Sequence, residues 1–197
     1  MLKRSFDIFF STLGLVLLSP LFLCLAILIK FNSKGPVFFK QNRVGLHNKD
    51  FKIYKFRTMK LNSEFDGLLT IGNKDSRITK VGLFLRRYKI DELPQLYNIL
   101  KGDMSFVGPR AELRHFVNYY NEDDLNIFSV RPGLTGLASL NFRNEVELLK
   151  NQKAPEIYYI KNIIPAKLKF NKVYLKKSSF LFDLKILWRT IFIVIFN

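Results

Sequence analysis

One cysteine and two histidines are all the sulfur and imidazole donors, methionine apart, in this 197-residue sequence. A lone Cys24 excludes an intrachain disulfide and a multi-cysteine zinc site. His47 and His115 are too few and too isolated to build a histidine metal cage. Neither a P-loop pattern nor G-x-G-x-x-G occurs, so the usual glycine-rich phosphate cradles are missing. Acids are scarce as well: 16 Asp and Glu stand against 32 Lys and Arg, a formal net charge of +16. That excess calls for an anionic partner, whether nucleic acid, an anionic membrane surface or a phosphorylated substrate. Apolar residues are abundant, at 48% with 20 Phe, which argues against a disordered chain. The length suits one domain with a real core.

The first long feature is apolar. Ile8 to Ile29 carries no charged residue, and it reaches the roughly 20 residues that span hydrocarbon. It is longer than a signal-peptide core and has no small-x-small cleavage site before Lys30, so it reads as retained. Ser19-Pro20 falls at its centre. Pro20 has no N–H and crowds the carbonyl four residues back, so a kink is expected there. The freed carbonyl then needs a partner, and the Ser19 hydroxyl is the local one. Lys3 and Arg4 precede the run, while Lys30, Lys34, Lys40 and Arg43 follow it. Basic residues at both ends speak against the charge asymmetry of a spanning helix. From charge alone, a kinked span and a re-entrant helix both stay open. The C-terminal "SFLFDLKILWRTIFIVIF" mixes apolar residues with Lys185, Trp188 and Arg189 and reads as an interfacial or a core helix.

Between these ends, "GPVFFKQNRVG" and "FKIYKFRTM" read as two strands joined by "LHNKD", with Phe51, Ile53, Lys55 and Arg57 on one face. Basic residues interleaved with aromatics also describe a single-stranded nucleic-acid platform, the competing class of function. Residues 60–76 are polar and read as a mobile loop. "DSRITKVGLFLRRYK" reads as a basic helix with Ile78, Val81 and Leu85 on one side, and "DELPQLYNILKG" as a second helix. In the latter, Asp91 is a good N-cap type, Pro94 is tolerated in the first turn, and Gly102 suits the position past the end.

Two adjacent acids before a helix usually serve as a cap. Here Arg86 and Arg87 lie just upstream of Asp91 and Glu92, Arg110 follows in "VGPR", and Arg131 in "RPG". Arginine forks are the preferred phosphate binders. Carboxylates among them suit a Mg²⁺–phosphate site, since Mg²⁺ takes one or two carboxylates plus phosphate oxygens. A carboxylate can also attack phosphorus directly. A nucleic-acid module would explain the charge but not the apolar run or the acid pair.

Seven blocks then occur in order: "KRSFDIFFSTLGLVLLSPLF", "GPVFFKQNRVG", "FKIYKFRTM", "RITKVGLFLRR", "IDELPQLYNILKGDMSFVGPR", "VRPGLTGLA" and "FDLKIL". With them the chain resembles the bacterial sugar transferases, monotopic phosphoglycosyl transferases. The resemblance implies transfer of a phospho-sugar from a UDP-sugar to polyprenol (undecaprenyl) phosphate with release of UMP, opening bacterial glycoconjugate synthesis. It implies Mg²⁺, and a re-entrant helix broken at Ser19-Pro20. Asp91 and Glu92 match the family's catalytic pair, with Asp91 as nucleophile and both acids near the metal. Arg86 matches a phosphate-handling arginine, Lys55 a basic position beside metal and phosphates, and Pro109-Arg110 a Pro-Arg-Pro motif linked to the nucleotide. Arg131 and Arg143 join the expected substrate contacts. Ala111 replaces the motif's last proline, and Ser139 and Phe142 stand where the family more often shows Gln and Gly.

The expected fold is an α/β, mainly helical, membrane-associated domain. Residues 1–33 form its re-entrant helix, and residues 34–197 a cytosolic catalytic domain with an interfacial C-terminal helix. The length matches a minimal catalytic unit. The expected setting is the cytoplasmic face of the bacterial inner membrane. Expected partners are the two substrates and membrane lipids, with a homodimer open and no nucleic acid.

Overall fold

A computed structural model describes residues 1–63, 67–72 and 75–196, apart from the side chains of 195 and 196. Helix α1 (Leu2–Leu17) and helix α2 (Ser19–Asn32) meet at Leu18 and are bent by 59°. The cause is the expected one. Pro20 cannot donate to Val16, and the Ser19 hydroxyl donates to the Val16 carbonyl instead, at 2.8 Å. Among the described residues no single helix is long and apolar enough to cross a membrane. The bent pair reaches that length and apolarity together.

Lys3, Arg4 and Asp7 on α1 make contacts that their sequence positions do not disclose. Lys3 donates to the Val107 carbonyl at 2.8 Å and pairs with Asp183 at 2.6 Å. Arg4 donates to the carbonyls of Ile99 and Leu100 at 2.6 and 2.8 Å. Buried Asp7 accepts from the Ser105 hydroxyl and the Phe106 N–H, each at 3.1 Å. These bonds dock α1 on the body of the protein.

Strands β1 (Phe38–Val44) and β2 (Asp50–Phe56) form an antiparallel hairpin with Phe39 opposite Lys55. Just past β2, Arg57 donates to the Ser33 and Lys34 carbonyls, both at 2.6 Å, tying the end of α2 to the hairpin. The loop expected over 60–76 includes residues 64–66 and 73–74, which lie outside the described residues. Asp75, in its described remainder, pairs with Arg77 just beyond it at 2.7 Å. The helix expected from Asp75 starts only at Lys80. The Asp75 carboxylate accepts from the Arg77 backbone N–H in a local turn, and Thr79 caps α3 (Lys80–Arg87) through the Gly82 N–H at 3.0 Å. Val81 and Leu85 pack against α2 as part of one core cluster with Leu25, Ile29 and Phe56.

The chain then reverses through Lys89, whose φ of 57° is left-handed, a conformation costing a non-glycine residue about 1–2 kcal/mol. A 3₁₀ turn (Ile90–Glu92) leads into α4 (Gln95–Lys101), which ends at left-handed Gly102. Asp91 is not the cap expected of it. The winding begins before it, with Glu92 N–H to Lys89 O at 3.2 Å and Leu93 N–H to Ile90 O at 3.1 Å. Asp91 therefore sits inside the turn, Pro94 holds the cap position of α4, and no side chain caps that helix.

Strand β3 (Ser105–Val107) reaches the short α5 (Arg114–Val117) through Gly108 and Pro109, and pairs in parallel with β4 (Gly133–Thr135). A Cβ on Gly133 would lie 2.1 Å from the Gly108 nitrogen, so only glycine permits this approach. Short α6 (Leu137–Asn141), α7 (Glu145–Lys150) and α8 (Pro155–Tyr158) follow, then a π turn (Tyr159–Ile163) running into α9 (Ile164–Lys177). The largest cluster of buried residues lies beneath α9 and includes Phe116, Tyr159, Ile163 and Leu168. Each such side chain contributes about 2 kcal/mol by burial. The last helix, α10 (Phe180–Phe196), is two-sided. Asp183 and Ile186 are buried against the body, while Leu181, Trp188, Ile191 and Phe192 are exposed. Among the described residues the fold is mostly helical with two small sheets.

Candidate active site

Five side chains from four segments converge on the 3₁₀ turn. Lys55 comes from β2, Arg86 from the last turn of α3, Asp91 and Glu92 from the turn itself, and Arg110 from the segment after β3. Lys55 Nζ lies 2.9 Å from Glu92 Oε1, and Arg110 Nη2 lies 2.5 Å from the same oxygen. Arg110 Nη1 adds a bond of 3.3 Å to Oε2. Glu92 thus has both oxygens engaged by cations. Asp91, its neighbour, is 7% exposed, and its Oδ1 is buried with no hydrogen-bond partner.

The two acids consequently titrate apart. Burial raises the Asp91 carboxyl; the Lys55 charge opposes this, the Glu92 charge adds to it, and Arg86 opposes it again. The net direction is upward from the ordinary aspartate value. Burial would raise Glu92 too, but Arg110 and then Lys55 outweigh it and hold that carboxyl well below the usual range. Lys55 is lowered, chiefly by its own burial and partly offset by Glu92. Arg110 is raised by Glu92.

Arg86 also donates to the Thr70 hydroxyl at 2.9 Å. Pro109 is buried, and its carbonyl accepts from the Gly133 N–H at 2.8 Å, which fixes the root of Arg110 on β4. Neither Arg131 nor Arg143 is hydrogen-bonded or ion-paired to Asp91 or Glu92 among the described residues. Arg131 Nε donates to the Gly102 carbonyl at 2.8 Å, at the far end of α4, and Arg143 is exposed beyond α6.

A second charged cluster, not read from the sequence, backs this site. Buried Glu112 accepts from Arg43 at 3.3 Å and from the Tyr159 hydroxyl at 2.5 Å. Lys167 on α9 donates to that hydroxyl at 2.9 Å and pairs with Glu145 at 2.7 Å. Arg43 also donates to the Ala111 carbonyl, and Val44 N–H to the Glu112 carbonyl at 2.9 Å. The residues 110–112 are clamped on both sides, and Arg110 is aimed by that clamp. The only sequence signal was an acid set between Ala111 and Leu113 in an acid-poor chain. The Tyr159 contact arises from the π turn, which has no pattern to read.

Buried cations around an unpartnered carboxylate stabilise charge on a phosphorus centre and leave one oxygen available to it. Such an arrangement is chemically able to bind and polarise a phosphoryl group. The whole chain, residues 1–197, matches the family model for bacterial sugar transferases, and the protein belongs to that family. It is 44% identical over 166 residues to UDP-N-acetylgalactosamine-undecaprenyl-phosphate N-acetylgalactosaminephosphotransferase of Aeromonas hydrophila, covering 82% of this chain and 39% of the relative. It is 40% identical to UDP-glucose:undecaprenyl-phosphate glucose-1-phosphate transferase of Escherichia coli K12, covering 98% of this chain and 40% of the relative. A Bacillus subtilis relative, the uncharacterized sugar transferase EpsL, is 38% identical, with 96% of this chain and 85% of the relative aligned. The chain spans about two fifths of the length of the first two. Those two are named as undecaprenyl-phosphate sugar-phosphate transferases, that is, phosphoglycosyl transferases.

Proposed function

We propose that this protein transfers a phospho-sugar from a UDP-sugar to polyprenol phosphate and releases UMP, through a covalent intermediate on Asp91. The observation that carries the reading is the buried Asp91 Oδ1, without a partner, beside Lys55, Arg86 and the Arg110–Glu92 pair. In the first step the Asp91 carboxylate attacks the sugar-bearing phosphorus. A P–O(Asp) bond forms as the P–O bond to UMP breaks, and UMP leaves with the electron pair. In the second step a phosphate oxygen of the polyprenol phosphate attacks the same phosphorus. Polyprenyl diphospho-sugar departs and the carboxylate is restored. Lys55, Arg86 and Arg110 hold and offset the negative charge of both phosphate substrates.

Mg²⁺ fits the donor set in one respect. Among the described residues no three His, Cys, Asp or Glu side chains are grouped to hold an ion alone. The other Asp91 carboxylate oxygen would supply one hard ligand, with the donor's phosphates supplying others. Glu92 is engaged by Arg110 and Lys55 and acts as their anchor. When bound, the cation supplies charge neutralisation at the diphosphate.

The polyprenol phosphate lies in a bilayer, and the bent α1–α2 pair with the exposed apolar side of α10 suits insertion at one membrane face. We place the protein on the cytoplasmic face of the bacterial inner membrane, with basic residues against anionic headgroups. The reading is tested by giving detergent-solubilised enzyme a panel of UDP-sugars without acceptor. One equivalent of UMP and an intact-protein mass increase equal to the phospho-sugar, mapped to Asp91, are expected. Turnover by an Asp91→Asn enzyme would sink it.

A further inference from the structure

The charges of Lys55, Arg86, Arg110 and Lys89 act on the acid pair, and the first three already have partners. Lys55 and Arg110 hold Glu92, while Arg86 donates to the Thr70 hydroxyl. Lys89 differs. Its side chain is exposed, and no hydrogen bond or ion pair engages its ammonium among the described residues. Its backbone is nonetheless fixed to the site on both sides. The Lys89 N–H donates to the Arg86 carbonyl, and the Lys89 carbonyl accepts from the Glu92 N–H, each at 3.2 Å. Two residues of chain span at most about 7 Å, so a lysine rooted there reaches a group bound at Asp91. Its φ of 57° is one that glycine or asparagine adopts more readily, so the backbone gives no reason for lysine.

The same turn abuts the bent α1–α2 pair. Ile90 and Val81 pack against a cluster that includes Leu25 and Ile29 of α2 and Leu85 of α3. Both packed helices also carry exposed apolar side chains, Leu28 and Phe31 on α2, Leu83 and Phe84 on α3. The Phe84 ring meets that of exposed Tyr88 at 5.0 Å, and exposed Arg87 lies over the Tyr88 ring at 5.7 Å. Lys89 follows directly. Along the chain it joins an open apolar surface to the acid pair.

We propose that Lys89 binds the phosphate of the polyprenol acceptor as that phosphate approaches the phospho-sugar held on Asp91. This rests on the two-step reading given above. A lipid phosphate needs apolar surface for its tail and an uncommitted cation for a head carrying about −1.5 to −2 charges. The Tyr88–Lys89 corner offers both together. A UDP-sugar has no apolar tail to use that surface, so the corner suits the second substrate rather than the first.

The test separates the two half-reactions. With a covalent intermediate, kcat/KM for the UDP-sugar reports the first step and kcat/KM for the acceptor the second. The variants are Lys89→Gly, which removes the cation and eases the left-handed backbone, and Lys89→Arg, which keeps the charge. The probes are an active UDP-sugar and undecaprenyl phosphate in non-ionic micelles, with and without phosphatidylglycerol. Lys89→Gly should lower kcat/KM for undecaprenyl phosphate roughly tenfold and hold that for the UDP-sugar within about twofold. Lys89→Arg should keep most of the acceptor value. Should Lys89→Gly melt below wild type, Lys89→Asn, which also accepts this backbone, gives the same comparison. An equal fall in both ratios would mark a general effect on the acid pair and overturn the proposal. No fall in either would overturn it as well. A fall seen only with phosphatidylglycerol present would assign Lys89 to membrane headgroups and also overturn it. In these three outcomes the wild type still releases UMP, so Lys89 alone is removed. A wild type that releases no UMP from any UDP-sugar removes the two-step reading and Lys89 with it.

Discussion

Arg110 closes on Glu92 at 2.5 Å, and the adjacent Asp91 is left as the carboxylate without a hydrogen-bond partner on Oδ1. One peptide unit separates a saturated acid from an available one. Their environments, not their chemistry, divide the roles.

Asp91→Asn and Glu92→Gln should therefore shift stability in opposite directions. The folded Asp91 carboxyl is raised, so its contribution to stability is present below the ordinary aspartate range and lost as pH rises through the raised value. At pH 7 the charged form is a burden, and Asp91→Asn should be more stable by roughly 1 kcal/mol while losing turnover. Glu92→Gln strands Arg110 and Lys55 and should cost about 3 kcal/mol. Thermal unfolding of both variants at pH 7 checks the signs; a destabilised Asp91→Asn would contradict the assignment.

Glu112 contributes one pH-dependent part of the fold's stability. Burial would raise its carboxyl, but Lys167 and Arg43, with the Tyr159 hydrogen bond, hold it below the usual glutamate range. Its stabilising contribution is then present above the unfolded value of about 4.3 and lost as pH falls through the folded one. Glu112→Gln should melt well below wild type at pH 7, by about 3 kcal/mol, with the gap shrinking below pH 4. A constant gap would show that charge pairing is not what Glu112 supplies.

For the α1–α2 pair we expect both ends on the cytoplasmic side. Single cysteines replacing the exposed Ser5 and Lys34, on a Cys24→Ser background, should resist impermeant labelling from outside the cell. Labelling of either would establish a span. Pro20→Ala restores the N–H to Val16 and should straighten the 59° bend.

Removal of divalent cations should abolish UMP release and Mg²⁺ should restore it, with Ca²⁺ poorer because it favours longer bonds and more ligands. Full turnover in excess chelator would exclude the cation from the reaction.

Lys89 should tolerate glycine without loss of stability and reject valine, by about 1–2 kcal/mol, because its φ is left-handed. Unfolding free energies of Lys89→Gly and Lys89→Val check this.

Local chemistry was legible in the sequence. The break at Ser19-Pro20 follows from a missing N–H, the hairpin from alternation and β-branched residues, and the end of α4 from Gly102. Each depends on neighbours a few residues apart. The acid pair stood out because acids are rare and arginines surround it. Its division into an anchored Glu92 and an open Asp91 depends on Arg110, 18 residues downstream, reaching Glu92. Equally distant are Lys3 on Asp183, Arg57 on the end of α2, and Glu112 between Arg43 and Lys167. Arg131 is another such case, its Nε donating to the Gly102 carbonyl at the end of α4. Propensity, caps and kinks act over one or two turns of backbone and so are written locally. Desolvation and long-range ion pairing exist only once segments remote in sequence have been packed together, and tertiary structure alone decides which carboxylate is left free.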